Sequence, residues 1–178
     1  MLLIFTACRR SEVCNATMND IVILNNQLWL KVIGKGSKYG EIPILPELER
    51  YLNEYRVFYG LCEIRKRTQI ENEIPLIIRK LKNGNFKAIT APHLYLLIKK
   101  LSNQVANKYA KNHELYQKFK NFSPHWLRYS SATFQINAGI DIRIVQKNLR
   151  HESIETTMRY QHVEKTKQFN ETVDKFKL

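Results

Sequence analysis

The hydrophobic pattern of the chain predicts a helix end, a small β-meander and then a run of helices. Met1–Cys8 (MLLIFTAC) is apolar and predicts the last turns of a buried helix. Arg9 and Arg10 break the run, and Ser11 is placed to cap a short helix after them. Ile21–Leu24 and Leu28–Ile33 are β-like runs on either side of an Asn25-Asn26 turn. Gly34–Gly40 is a glycine-rich turn carrying Lys35, and Glu41–Ile44 continues as a third antiparallel strand. Pro46–Tyr59 has Leu48, Tyr51, Leu52 and Tyr55 at the spacing of one helical face. Residues 62–73 are charged and aperiodic, which predicts a loop. Leu76–Ile78 is a short apolar run, and Asn83-Gly84 marks a turn. Thr90 caps a helix over Pro92–Ala110, with Leu94, Leu97, Ile98, Leu101 and Val105 as its apolar stripe. Residues 108–120 are basic, with Tyr109, Tyr116 and Phe119 interleaved, a mix suited equally to phosphate contacts and to a solvated helix end.

The last third of the chain is read as helical. His125–Ala138 forms a helix stopped by Gly139. At 100° per residue, Leu127, Ser131, Phe134 and Ala138 share a core-facing stripe, while His125, Arg128 and Ala132 fall on a different face. Asp141–Leu149 predicts a second helix with Ile142, Val145 and Leu149 inward, and Glu152–Arg159 a third, capped near Ser153. Val163–Leu178 predicts a polar helix whose stripe of Phe169, Val173 and Phe176 is too thin to fold alone, so it docks in cis or on a neighbour.

Composition narrows the partner. The chain has 178 residues, enough for one domain with a sizeable core, and 44% of them are hydrophobic. Lysine and arginine number 29 against 16 acidic residues, a net charge of +13. That balance favours a polyanion (DNA, RNA or an anionic membrane) over a basic surface kept for solubility, and nucleic acid is the favoured reading. Cys8, Cys14 and Cys62 are odd in number and unpaired in spacing; they give neither a disulfide framework nor a zinc-ligand pattern. Met1–Phe5 is too short for a membrane span or a signal peptide, which points to a reduced, intracellular compartment. Gly34-Lys35-Gly36-Ser37-Lys38 lacks the GxxxxGK[ST] spacing of a nucleotide-binding loop, and no helix follows it directly.

Chemistry concentrates in Ser123–Val163. His125 and Arg128 lie three residues apart, His151 follows, and Tyr160 comes nine residues after it. Attack of a tyrosine on a phosphodiester needs positive charge on the non-bridging oxygens, loss of the phenolic proton, a general acid for the leaving 5′-oxygen and an in-line geometry. Arginine suits the first task because its planar fork matches phosphate and stays charged. Two arginines, two histidines, a lysine and a tyrosine meet these needs without a metal. Taken singly, a histidine three residues from an arginine is a common surface pair, and a tyrosine after a helix is commonly packing. A metal-dependent nuclease built on His125, His151 and His162 is a more distant reading, weakened by the lack of clustered carboxylates.

In combination the motifs are specific. Thr6-Ala7-Cys8-Arg9-Arg10-Ser11-Glu12 resembles the TGLRxSE motif of the tyrosine recombinases, the phage integrase family. Gly34–Lys38 with Ile42-Pro43-Ile44 resembles their GKGxK…VPL hairpin, His125-Trp126-Leu127-Arg128 resembles HxLR, and Leu149-Arg150-His151 to Tyr160-Gln161-His162-Val163 resembles LGH…YxHV. The resemblance implies a mainly α catalytic domain with a small antiparallel β-sheet over residues 1–162, followed by a docking helix at 163–178. It implies that Arg9 and Arg128 clamp the scissile phosphate, with His151 bonding a phosphate oxygen. Lys35 would protonate the 5′-oxygen, His125 would assist proton transfer at Tyr160, and Tyr160 would be the nucleophile of a 3′-phosphotyrosyl intermediate. Glu12 would support the site, and Lys38 would join Arg9, Lys35, Arg128 and His151 in contacting DNA.

The implied function is site-specific recombination for a phage or other mobile element. The partner is double-stranded DNA, with a homotetramer on DNA, a monomer or weak oligomer without it, and accessory DNA-bending proteins. No cofactor, metal or membrane is implied, and the setting is the cytoplasm of a bacterium, at the nucleoid. The abrupt start predicts that this sequence lacks the family's first catalytic helices and core-binding domain, as either an excised fragment or the product of a truncated gene. An inactive DNA-binding remnant or regulator is the alternative. Three positions depart from the pattern: Ala7 and Arg150 stand where glycines are usual, and Tyr129 where a second histidine often follows HxLR.

Overall fold

The computed structural model describes residues 1–34, 39–158 and 160, so Lys35, Lys38, His162 and the predicted helix at 163–178 lie outside the described residues. Helix α1 (Leu2–Thr6) ends at Ala7, which takes a left-handed conformation at φ 51°. Helix α2 (Arg10–Asn15) begins earlier than expected, with Arg9 rather than Ser11 at its N-cap. Glu12 sets that start, because its Oε2 accepts the Arg9 backbone N–H at 2.7 Å and satisfies a donor that the first turn leaves orphaned.

Three strands follow in the order β1 (Ile21–Leu24), β2 (Gln27–Ile33) and β3 (Tyr39–Ile44), paired antiparallel. Asn25 and Asn26 both have positive φ, 49° and 63°, which gives the tight turn the twist of the strands it joins. Leu30 pairs with Ile21 on one side and Ile42 on the other, so the alternating Leu28, Leu30 and Val32 all face the core. Pairing of Ile33 with Tyr39 extends β3 two residues upstream of its predicted start.

Helix α3 (Pro46–Phe58) buries Leu48 and Leu52 as its pattern predicts, and also Arg56. The Arg56 Nε donates to the Cys62 carbonyl at 2.6 Å and Nη2 pairs with Glu71 at 2.7 Å. These bonds organise the segment read as a loop, which holds two 3-10 turns (Ile64–Lys66 and Ile70–Glu73) and buries Ile64. A second hairpin that the sequence pattern did not predict, β4 (Ile78–Lys80) with β5 (Phe86–Ala88), closes around Asn83-Gly84. Tyr55 fixes it to α3, its hydroxyl both donating to the Ile78 carbonyl and accepting from the Ile78 N–H.

Helix α4 (Ala91–Lys108) is capped by Thr90, whose hydroxyl accepts from the His93 N–H. Its inward row runs Leu94, Ile98, Ser102 and Ala106, whereas Leu101, expected in the stripe, is 61% exposed. Helix α5 (His113–Lys120) folds back on α4, with Tyr109 stacked on Phe119 at 5.4 Å and Lys99 donating to the carbonyls of Lys120 and Phe122. Helices α6 (Pro124–Asn137), α7 (Ile142–Leu149) and α8 (Ile154–Met158) complete the described chain, α7 being capped by Asp141.

The buried face of α6 differs from the expectation. Arg128, Ser131 and Ala132 are buried, while Phe134 is 60% exposed. The cause is tertiary: the head of Arg128 is satisfied inside the protein, as described next. The main core joins α1, α2, the three-stranded sheet and α3; a smaller one comprises Ala7, Ala132, Val145 and Leu149, with Ile136 and Tyr160 packed against it. No helix among the described residues is long and apolar enough to cross a membrane.

Candidate active site

The smaller core is the floor of the site. Ala7 comes from the end of α1, Ala132 from α6, and Val145 and Leu149 from α7. Arg128, 6% exposed, runs through this floor and donates from its two Nη atoms to the main-chain carbonyls of Ala7 and Leu149. Both carbonyls lie at helix ends, where they lack an intrahelical partner. Burial, with Arg150 and Arg9 nearby, pushes Arg128 down to about 10, so it stays charged at neutral pH.

Arg9 sits at the entrance. Its Nη1 pairs with Glu12 Oε1 at 2.9 Å, and its own side chain is 40% exposed against 2% for that of Glu12. The other oxygen of Glu12 meets Arg150 Nη2 at 2.5 Å. A buried carboxylate thus holds one arginine from each end of the chain. The left-handed Arg150, φ 55°, ends α7 and lays its aliphatic stem on Gly40 of β3, where an added Cβ would overlap the Arg150 Cδ. Its Nη1 donates to the Asn148 carbonyl at 3.0 Å, and among the described residues its Nε is buried without a hydrogen-bond partner.

His151 follows on the same turn, with Nδ1 3.0 Å from Thr157 Oγ1 on α8. Burial, reinforced by the charges of Arg128, Arg9 and Arg150, pushes it down to about 4, so its imidazole is neutral at physiological pH. The neutral ring bears one N–H, and Thr157 fixes which way the ring faces. The Tyr160 ring stacks on that of His151 at 6.1 Å between centroids. The Tyr160 ring also lies 5.3 Å from that of Tyr129, and Tyr129 in turn lies 6.1 Å from His125. These contacts link the four rings in the order His151, Tyr160, Tyr129, His125.

Two concavities meet at Arg9. A cleft of about 1090 Å³ between β3 and α7 is lined by Arg9, Gly34, Arg143, Lys147, Arg150 and His151, among others. A smaller one of about 220 Å³ is lined by Arg9, Arg10, His125 and Arg128, among others. The fold therefore brings together Arg9, Glu12, His125, Arg128, His151 and Tyr160 from four separate stretches of chain. Lys35 and Lys38 are outside the described residues, although Gly34, Tyr39 and Gly40 on either side of them line the larger cleft. Sequence reasoning missed Arg143 and Lys147, whose i, i+4 spacing on a basic helix was the available signal, and Thr157, which had none.

Residues 1–167 match the phage integrase family, and the chain belongs to that family. The tyrosine recombinase XerA of Pyrococcus horikoshii is 32% identical over 182 residues, a match covering 100% of this chain and 53% of that one. The tyrosine recombinase XerC of Thermodesulfovibrio yellowstonii is 28% identical over 156 residues, covering 88% of this chain and 46% of that one. The chain thus spans about half the length of these relatives. The crystal structure of the XerH site-specific recombinase bound to difH, a pre-cleavage complex, superposes with a TM-score of 0.64 at 22% identity, over 99% of this chain and 45% of that one. At that identity the likeness establishes the fold alone, mainly α with small antiparallel sheets.

Proposed function

We propose that this chain carries the strand-cleaving centre of a site-specific DNA recombinase. Tyr160 Oη attacks a phosphodiester phosphorus, forms a 3′-phosphotyrosyl ester and releases the 5′-oxygen, which takes up a proton and leaves as a hydroxyl. The phenolic proton departs toward His125 or solvent. Rejoining is the reverse: a 5′-hydroxyl attacks the ester and restores the phenol. The new ester resembles the bond it replaces, so no nucleotide cofactor drives the exchange. Arg9 and Arg128 neutralise the non-bridging oxygens, His151 donates a hydrogen bond to one of them, and Lys35 is the general acid.

The observation that carries this reading is the stacking of Tyr160 on His151, a ring held within the field of Arg128, Arg9 and Arg150. The net charge of +13 supports duplex DNA as the partner, and the XerH recombinase of similar fold was crystallised on its difH substrate. On this reading Lys38 adds a backbone contact and the working unit on DNA is a homotetramer, with accessory DNA-bending proteins and a cytoplasmic, nucleoid-associated setting. Residues 163–178 dock on the same or a neighbouring subunit.

The test is covalent trapping. The full chain and its Tyr160→Phe variant are incubated with a pool of nicked duplexes of randomised core sequence and denatured in SDS. A slow-migrating protein–DNA band from the unmodified chain alone supports the assignment. Salt-sensitive binding with no band from either protein supports the second reading, a DNA-binding role without catalysis.

A further inference from the structure

Arg150 has no part in the scheme above, yet it is built into the site at a cost. It adopts a left-handed backbone that residues with a Cβ adopt rarely, and it buries a guanidinium whose Nε has no partner among the described residues. Such features persist where the surrounding structure over-determines them, and they cluster at functional sites. What holds Arg150 is Glu12, a carboxylate already engaged by both the backbone N–H and the guanidinium of Arg9.

We propose that Arg150 is a positioning residue that balances the charge of Glu12, so that Arg9 and Arg128 both face the phosphate uncompensated. Arg9, Arg128 and Arg150 set three positive charges against the one negative charge of Glu12. His151 adds none, being held neutral. Among these four side chains two positive charges are left over. A phosphodiester carries one negative charge and the pentacoordinate arrangement formed on attack gathers about two, so the match is to the transition state, where charge complementarity accelerates. Without Arg150, Glu12 would neutralise Arg9 and leave a single charge. Glu41, Arg143, Lys147 and Glu152 also line the cleft wall.

This inference rests on the DNA-cleaving reading, and the test separates the two. Arg150→Gln removes the charge, and the double variant Glu12→Gln with Arg150→Gln restores the balance while removing the buried carboxylate. Single-turnover cleavage at saturating DNA, DNA affinity and the imidazole titration of His151 by NMR are measured for each. Expected for Arg150→Gln is a loss of about tenfold or more in cleavage rate with affinity held within about threefold, since an interaction realised in the transition state lowers rate rather than binding. The double variant recovers most of the rate. His151 titrates higher in Arg150→Gln, having lost a cationic neighbour, and returns downward in the double variant.

Wild-type cleavage by Arg150→Gln, or a double variant no faster than the single one, overturns the proposal. Where the unmodified chain forms no adduct the functional reading fails, and the titration decides alone: a rise and return supports charge balance, and no movement overturns it. Should Arg150→Gln fail to fold, Arg150→Lys replaces it as the single variant; keeping the charge, it is expected to keep most of the rate, and a loss as deep as that of an Arg9 variant overturns the proposal.

Discussion

The Arg128 guanidinium donates to the carbonyl of Ala7, 121 residues away in the chain, and its other Nη reaches the Leu149 carbonyl. One planar fork thereby closes the ends of two helices, α1 and α7, and the positive φ of Ala7 turns its segment toward the next residues, Cys8 and Arg9. A lysine ammonium has no such fork. Arg128→Lys leaves a buried carbonyl unpaired and is expected to destabilise the fold by about 2–4 kcal/mol, the cost of an orphaned acceptor together with a displaced charge. Chemical denaturation measures it, and a change under about 0.5 kcal/mol would show that the clip is not structural.

Leu149 supplies the floor beneath that clip and is 0% exposed. Leu149→Ala should cost about 2–5 kcal/mol through lost burial and a residual cavity. Leu101→Ser, on the solvent side of α4, should stay within about 0.5 kcal/mol. Equal losses in the two variants would mean that the sequence pattern, and not the observed burial, reports the inward face of α4.

Tyr160 packs its ring on Ala7, Ala132, Val145 and Leu149 through the smaller core. Phenylalanine keeps that ring, so Tyr160→Phe should change stability by less than about 1.5 kcal/mol, the scale of a single hydroxyl's hydrogen bond. Salt-dependent DNA affinity should be unchanged as well. A variant that melts early or releases DNA would make its missing adduct a folding effect rather than a chemical one.

The pH dependence of stability follows from His151. Its folded value of about 4 lies below the ordinary 6.5, so as pH falls the unfolded chain takes up a proton first. This contribution is whole above about pH 6.5, is lost progressively as pH drops toward 4 and levels off below that. The melting temperature of the unmodified chain should therefore fall across this window more steeply than that of His151→Gln. Parallel curves would indicate that folding leaves the proton affinity of His151 unchanged.

Much of the fold could be read from the sequence, and the misreadings have a common cause. The β-meander was legible because alternation and an Asn-Asn turn are local signals, and Thr90 announced α4 by its capping chemistry. Helix faces were less so. Periodicity counts arginine as polar and phenylalanine as core, yet Arg128 is inside because two distant carbonyls receive it, and Phe134 is outside. The β4–β5 hairpin escaped because each strand has three residues, too few for a period. Six of the predicted site residues, Arg9, Glu12, His125, Arg128, His151 and Tyr160, are brought into one neighbourhood. The link between Glu12 and Arg150 joins residues 138 apart and left a single trace in the sequence, an arginine where the motif has glycine.

The central claim is that Tyr160 forms the covalent bond to DNA, and mass spectrometry of the trapped adduct tests it most directly. After nuclease and trypsin digestion, cleavage behind Arg159 and Lys165 frees the peptide Tyr160–Lys165. A nucleotide remnant joined through its 3′-phosphate to Tyr160 of that peptide is the predicted result. The same remnant on Tyr129, on a serine or on a histidine, with Tyr160 unmodified, would contradict the account.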